Sequence, residues 1–556
     1  MAKYAIGLDY GTLSVRALMV DIHTGEEVAT SVFEYPHGVM ETRIPNGKQL
    51  PSGWALQDPQ DYMDGLVETV RAVMAQSKAF PEEIVGIGVD FTSSTVMPVG
   101  ADKMPLCLTP EFKDEPHAYV KLWKHHGGEE EAAFIDKVAI ERGEKWHSLY
   151  GSKVSSEWMM PKVLETIRKA PEVYDKCDRY MEALDWIIWE LTGEESRSAC
   201  GAGYKAFYHH EMGYPSKDFF KALDPKMENI IEEKMNAPIK GVGEKAGHLT
   251  ESMANVLGLL PGTPVGTGII DAHSSVVGAG ISGPGTMMII VGTSSCHMLL
   301  SETEAGIPGV AGIVKDGIMP GYFAYEAGQS CVGDHFAWFT DNCVPASYAA
   351  EAREKGISVH QLLTDKLEGY KAGQSGLVAL DWFNGVRSPL MDFNLNGLIM
   401  GMNLQTKPEE IYLSLIEATA YGTRMIIENF ENAGVHVENI VLSGGIPLKN
   451  KMLVQVYSDI CNREIKICGS SNASAMGAAI LGAAAASEQV TGYKNANEVA
   501  KALGRINEEV YKPNQENVAV YDKLYEEYKT LLDYFGRGAN DVMKRLNQIR
   551  DEQRAK

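Results

Sequence analysis

Apolar residues alternate from Tyr4 up to Asp9, break at Tyr10-Gly11-Thr12 and resume from Val15 to Val20. That period predicts two half-buried strands joined by a tight turn. The pattern returns in the second half, where Met287–Val291, the turn Gly292-Thr293-Ser294 and Ser295–Leu300 again read strand, turn, strand. The second Gly-Thr lies 281 residues after the first in a chain of 556. Two such units, one in each half, predict a duplicated α/β domain.

The remaining pattern fills in that frame. A third strand is expected over Glu27–Phe33, and Asp58-Pro59 opens a helix with Tyr62, Leu66, Val70, Val73 and Met74 on one face. Ile84–Asp90 reads as a buried strand running into the hydroxyl-rich Thr92-Ser93-Ser94-Thr95, and the aromatic, charged stretch of about 105–202 as an insertion. In the second half a helix starts at Thr406-Lys407-Pro408-Glu409 and stops at Gly434. A strand at Ile440–Ser443 delivers Gly444-Gly445, a helix runs Asn450–Cys461, a strand follows at Glu464–Cys468, and Ala473–Ala486 is a helix of small residues. The tail carries an amphipathic helix through Tyr521–Phe535, and the charged run beyond Asp541 is expected to fray. The expected domains are 1–283, 284–486 and a helical extension 487–556.

Composition narrows the function classes. A formal net charge of −23 argues against nucleic acid or an anionic membrane as main partner, while leaving a local anion site open. Eight cysteines with no Cys-x-x-Cys pair read as reduced thiols. Strand character so close to the N-terminus leaves no signal peptide, and the apolar run 475–486 is too short to span a bilayer, so a cytoplasmic protein is expected. Gly278-Ala-Gly280-Ile-Ser-Gly283 matches a dinucleotide fingerprint by letter only, since Pro284 and a strand follow. Asn472-Ala-Ser474 is a glycosylation sequon by letter alone. No P-loop motif is present, and the histidine pairs 125–126 and 209–210 lack metal-site spacing.

The first turn gathers Asp9, Gly11, Thr12, Ser14 and Arg16, a set able to hold a metal ion through the carboxylate and phosphate oxygens through N–H, hydroxyl and guanidinium groups. Gly292, Thr293 and Ser294 offer the same donors from the other half, with a nucleotide expected between the copies. Asp271, at the end of an apolar strand, is either a helix N-cap or a general base taking a proton from a substrate hydroxyl. Gly444-Gly445, with Asn450 beyond it, is either a plain turn or a loop lying flat against adenosine.

Together, Asp9-Tyr-Gly-Thr-Leu-Ser-Val-Arg16, Gly268-Ile-Ile-Asp271-Ala-His273, Gly292-Thr293-Ser294 and Gly444-Gly445 resemble the FGGY carbohydrate kinases, of the actin/Hsp70-like (ribonuclease H-like) ATPase fold, from Ile6 to about Ala486. The segments Val89–Thr95, Pro105–Phe112, Lys121–His126, Ser155–Trp158, Ala202–Lys205, Tyr325–Ser330 and Leu380–Gly385 are similar to the branch acting on the ketopentose L-ribulose. The resemblance implies two kinase domains around a cleft, the first binding sugar and the second nucleotide, with ATP and Mg²⁺ as cofactors. It implies Asp271 as the base at the terminal sugar hydroxyl, Ser93, Lys205 and Glu326 on the ketopentose, and Thr12, Arg16, Gly292 and Thr293 around the phosphates. One departure stands out: many members carry a tryptophan three residues after the lysine equivalent to Lys162, where this chain has Glu165. Kinases for other ketopentoses or pentitols, a chaperone or filament ATPase, and an inactive sugar sensor are the competing readings. Association as a homodimer is left open.

Overall fold

The computed structural model describes residues 2–554. Two central sheets repeat one topology. In the first, strand Tyr4–Tyr10 pairs antiparallel with Ser14–Asp21, which pairs antiparallel with Glu27–Glu34. On its other side Tyr4–Tyr10 runs parallel to Ile84–Phe91, and Pro264–Gly266 follows in parallel. In the second sheet Gly285–Val291 pairs antiparallel with Ser295–Ser301, and that strand with Phe323–Gln329. Parallel partners Val437–Ser443 and Glu464–Ile467 lie beyond Gly285–Val291. The order third-second-first-fourth-fifth is thus common to both halves, each with a helix (Pro59–Ser77, Pro408–Asn432) between the third and fourth strands. The central strand Ile84–Phe91 is buried along its whole length and apolar but for Asp90, as burial on two faces requires.

The halves interlock. Helix Ala473–Ala484 follows the last strand of the second sheet but lies on the first sheet and on helix Asp271–Gly278. A Cβ on Gly7, Gly86 or Gly88 would sit 1.9, 2.0 or 1.8 Å from the carbonyl oxygens of Ala475, Gly482 and Ala478. Only bare backbone lets that helix come so near, which explains its composition of alanine and glycine.

The insertion contributes Val120–Lys121 and Arg179–Glu182 to a small antiparallel sheet completed by Leu56–Gln57 and Val96–Val99 from outside it, beside helices Glu129–Arg142 and Met159–Lys169. Strand Val96–Val99 continues straight from the 92–95 loop, so that loop joins the first sheet to this smaller one.

Two expectations change. The helix after Thr406 is capped one residue later, at Lys407, whose N–H donates to Glu410 at 2.7 Å. Thr406 instead accepts from the Asn403 N–H at 2.9 Å. The charged tail is a helix, Val542–Arg554, rather than a frayed end. Met543 is buried against the second domain's core with Val542 packed beside it, Lys544 pairs with Asp392 at 2.7 Å, and Asn547 donates to the Asn394 carbonyl at 2.9 Å.

Candidate active site

Three carboxylates come from three neighbouring strand ends. Asp9 stands opposite Asp90 across the parallel pair, and Ile269 opposite Asp90 on its other side, two residues before Asp271. Asp271 is the first residue inside helix Asp271–Gly278, the cap position being Ile270; its Oδ1 accepts from the Ala272 N–H at 2.7 Å. The N-cap alternative therefore does not describe it. Burial and the nearby Asp9 push its carboxyl up to about 7. Asp90 is wholly buried, and neither of its oxygens has a hydrogen-bond donor among the described residues. Burial, then Asp9 and Asp271, raise it well above the carboxylate range. Burial also raises Asp9, against the Arg16 guanidinium 3.5 Å away.

A second constellation faces these acids. Lys205 Nζ donates to both oxygens of Glu326, at 3.0 and 3.1 Å. His273 Nε2 lies 2.9 Å from the same carboxylate, and its Nδ1 3.2 Å from Cys200 Sγ. Burial would raise Glu326, but the Lys205 ammonium and the His273 ring outweigh it and hold the carboxyl well below its ordinary range. His273 thus lies beside Glu326 and not Asp271.

Asp271, Lys205 and Glu326 line one cavity of about 280 Å³. Ser93, Trp123, Lys205, Asp271, Glu326 and Arg387 face it together with the turn Gly292-Thr293-Ser294. The size lies at the lower edge of ligand pockets, roughly 300–1,000 Å³, and suits one small polar molecule. The lining sets a few polar and charged groups in a mostly apolar wall and comes from both domains.

The two turns differ in how they are held. The Gly11 N–H donates to the Ser14 carbonyl at 2.9 Å, the Thr12 carbonyl accepts from Gln57 Nε2 at 2.7 Å, and Thr12 Oγ1 accepts from Trp123 Nε1 at 3.1 Å. The Gly292 N–H donates to the Ser294 carbonyl at 2.9 Å, and the Gly292 and Thr293 carbonyls accept from the N–H groups of Gly333 and Val332 at 2.9 and 2.8 Å. Gly444 adopts φ 103° against this second turn, where a Cβ would lie 2.4 Å from the Val291 carbonyl oxygen. Gly445 faces open space at the start of a short helix. Asn450 lies off the cavity: its Oδ1 caps helix Lys451–Cys461, accepting from the Leu453 N–H at 3.0 Å. Asp9, Gly11, Thr12, Ser14 and Arg16 also stand outside the cavity lining, joined to it through Trp123 and through the field of Asp9 on Asp271.

Sequence reasoning passed over Asp90 and Arg387. Asp90 breaks an otherwise apolar strand, and Arg387 is the only charge in Trp382–Leu390, so a search for lone charges in uncharged stretches would have found both. The departure at Glu165 also has its explanation: it is buried between Lys121 Nζ at 2.7 Å and His125 Nε2 at 2.9 Å, a side chain matched to charges brought by the 121–125 segment.

The carboxylates offer only oxygen, the donors a hard divalent cation takes, and Asp90 brings a buried, unpartnered pair of them. The buried His209 and the exposed His210 and Glu304 also gather. His209 Nδ1, however, accepts from the N–H groups of Glu211 and Met212 at 3.2 Å, so its Nε2 keeps the proton it shares with Glu304. That cluster carries no metal argument. No described helix is long and apolar enough to cross a membrane.

Comparison with known proteins returns the same picture. Residues 4–278 match the N-terminal domain and residues 287–486 the C-terminal domain of the FGGY family of carbohydrate kinases. A ribulokinase of Geobacillus thermodenitrificans is 50% identical over 100% of this chain and 98% of its own length. One from Bacillus licheniformis is 52% identical over 97% and 98%. Among solved structures, a "xyloylose kinase" from Brucella ovis aligns with a TM-score of 0.78 at 19% identity, covering 95% of this chain and 98% of that one. The duplicated actin/Hsp70-like architecture is thus shared at the level of fold.

Proposed function

We propose, for a chain that belongs to the FGGY family of carbohydrate kinases, the ATP-dependent phosphorylation of ribulose, with the L epimer and its terminal hydroxyl as the acceptor. Half of all positions are shared with ribulokinases end to end. The single observation that carries the reading is the convergence of Asp271, the Lys205–Glu326 pair and the Gly292 turn on one cavity.

The chemistry follows from those positions. Asp271 takes the proton of the terminal hydroxyl as its oxygen bonds to the γ-phosphorus, the bond from that phosphorus to the bridging oxygen breaks, and ADP leaves. A carboxyl near pKa 7 suits that duty, because about half of it is ionised in neutral solution and it holds the accepted proton well. Ser93, Lys205 and Glu326 orient the sugar through its remaining hydroxyls. Arg387, reaching into the cavity from the second domain, adds positive charge where the phosphoryl group crosses. Thr12, Ser14 and Arg16 from one turn, and Gly292, Thr293 and Ser294 from the other, bind the phosphates, with Gly444-Gly445 beside the nucleoside. Asp9, supported by Asp90, would hold Mg²⁺, which when bound supplies charge neutralisation for the transferring group. Approach of the two domains excludes water, so the sugar hydroxyl and not solvent receives the phosphoryl group.

The test is ADP release measured across L-ribulose, D-ribulose, D-xylulose and ribitol. A kcat/KM preference for L-ribulose is expected. A preference for another polyol would replace the substrate and leave the kinase assignment standing; ADP release with none of them would remove both.

A further inference from the structure

Trp123 stands where the cavity wall meets the first turn. Its indole lines the cavity beside Ser93 and Asp271, and its Nε1–H donates to Thr12 Oγ1 at 3.1 Å. Indole has one donor and no acceptor, so this contact is the ring's whole hydrogen-bonding capacity. Thr12 is fixed a second time through its carbonyl, by Gln57 at 2.7 Å. A hydroxyl that accepts from the indole keeps one proton of its own, which must point away from the ring.

The backbone around Trp123 has little slack. Leu122 donates to the Ala55 carbonyl at 3.0 Å, and its carbonyl accepts from the His125 N–H at 2.9 Å and from Lys162 Nζ at 2.8 Å. The same ammonium donates to the Ser94 carbonyl at 2.7 Å, where the chain takes φ 50°. Lys162 therefore ties together the two wall segments that carry Ser93 and Trp123. Behind it, Lys121 donates to Glu165, Thr166 Oγ1 and the Lys162 carbonyl at 2.7, 2.8 and 3.1 Å. His125 Nδ1 accepts from the Ala55 N–H at 3.3 Å, leaving Nε2–H to donate to Glu165 at 2.9 Å. Lys121, His125, Lys162 and Glu165 are all fully buried.

We propose that Trp123 is a positioning residue that couples the two substrates: its indole N–H sets the Thr12 hydroxyl so that the free proton faces a phosphate oxygen. This rests on the kinase reading above. A sugar seated against the indole holds it in place and so favours nucleotide binding, and by linkage nucleotide favours sugar by the same factor. The buried Lys121–Glu165–His125 network and Lys162 serve this coupling by fixing the segment that carries the indole.

The experiment is calorimetric binding of ADP to the full-length protein, with and without L-ribulose, for wild type, Trp123→Phe, Thr12→Val and the double variant. Phenylalanine keeps the aromatic wall and removes only the donor. ADP binding is expected to weaken about two- to tenfold in Trp123→Phe, the range of one neutral hydrogen bond. The same change in the Thr12→Val background should cost less than about twofold, because the acceptor is gone. Thr12→Ser, which retains the hydroxyl, should restore the full response. Equal losses in both backgrounds, or an unchanged ADP affinity in Trp123→Phe, would overturn the proposal. If Trp123→Phe does not fold, Glu165→Gln tests the same link: a lower sugar–nucleotide coupling factor supports it, and an unaltered factor with a lowered melting temperature marks the network as structural only. ADP binding to wild type without any sugar turnover would instead count against the kinase reading.

Discussion

The two Gly-Thr turns share a pattern and a place in their sheets, yet they are fastened by different means. The first carries Asp9 and Arg16, 3.5 Å apart, and is gripped by side chains of the insertion and its approach, Gln57 and Trp123. The second has no charged residue from Met287 to Leu300 apart from a buried, neutral His297, whose protonation burial disfavours. It is fastened by backbone alone, through Gly333, Val332 and the close approach of Gly444. One turn thus carries charge and side-chain contacts, and the other is an uncharged turn held by backbone amides.

Substitutions at matched positions separate these roles. Asp9→Asn should lower kcat by about 10²–10³-fold, the loss typical of removing one preorganised charge-stabilising group, and should abolish the dependence of rate on Mg²⁺ concentration. Thr293→Ala, at the second turn, should cost only about tenfold and leave the Mg²⁺ titration unchanged, since its backbone donors remain. Equal losses would break the comparison.

Gly444→Ala comes next. Its φ of 103° and the 2.4 Å approach to the Val291 carbonyl oxygen make any side chain strained, by about 1–3 kcal/mol. Because the strain falls on the second turn, steady-state kinetics should show a higher KM for ATP with the sugar KM nearly unchanged.

The pH behaviour separates the acids from the amides. Asp271 must be ionised to accept a proton, so kcat/KM for sugar should rise through about pH 7 and then level. Stability runs the other way. A folded carboxyl raised from 3.8 to about 7 binds its proton more tightly than the unfolded chain does, so folding free energy is lost as pH rises across that window. Asp271→Asn should therefore melt a few degrees above wild type at pH 8, with the gap closing toward pH 4. A gap that widens on acidification would contradict the burial argument.

The smallest effect is expected at Asn450. Losing its cap to Leu453 should cost about 1 kcal/mol in thermal unfolding while the ATP KM stays put. A raised KM would place its amide on the nucleotide.

Much of this was legible in the sequence because the signals were local. The alternation around Gly11 and Gly292, the proline start at Pro59 and the small residues of 473–484 each reflect a constraint within a few positions. Asp271 stood out at the end of its apolar strand, while Lys205 and Glu326 entered only through the family resemblance. What escaped depended on partners distant in sequence. Asp90 reads as a strand residue until Asp9 and Asp271 flank it in space, and Glu165 looks like a lost signature until Lys121 and His125 close on it. The tail past Asp541 looks too charged to order, and contacts distant in sequence, Met543 in the core and Lys544 on Asp392, hold it. Asn450 looks like a ligand contact because asparagine serves caps and ligands equally well.

The most direct test of the central claim, one aspartate aimed at a sugar hydroxyl between two phosphate-binding turns, is single-turnover phosphoryl transfer by Asp271→Asn with ATP and L-ribulose both saturating. The account predicts a rate about 10²–10⁴-fold below wild type, with both dissociation constants changed little. A rate equal to wild type would contradict it.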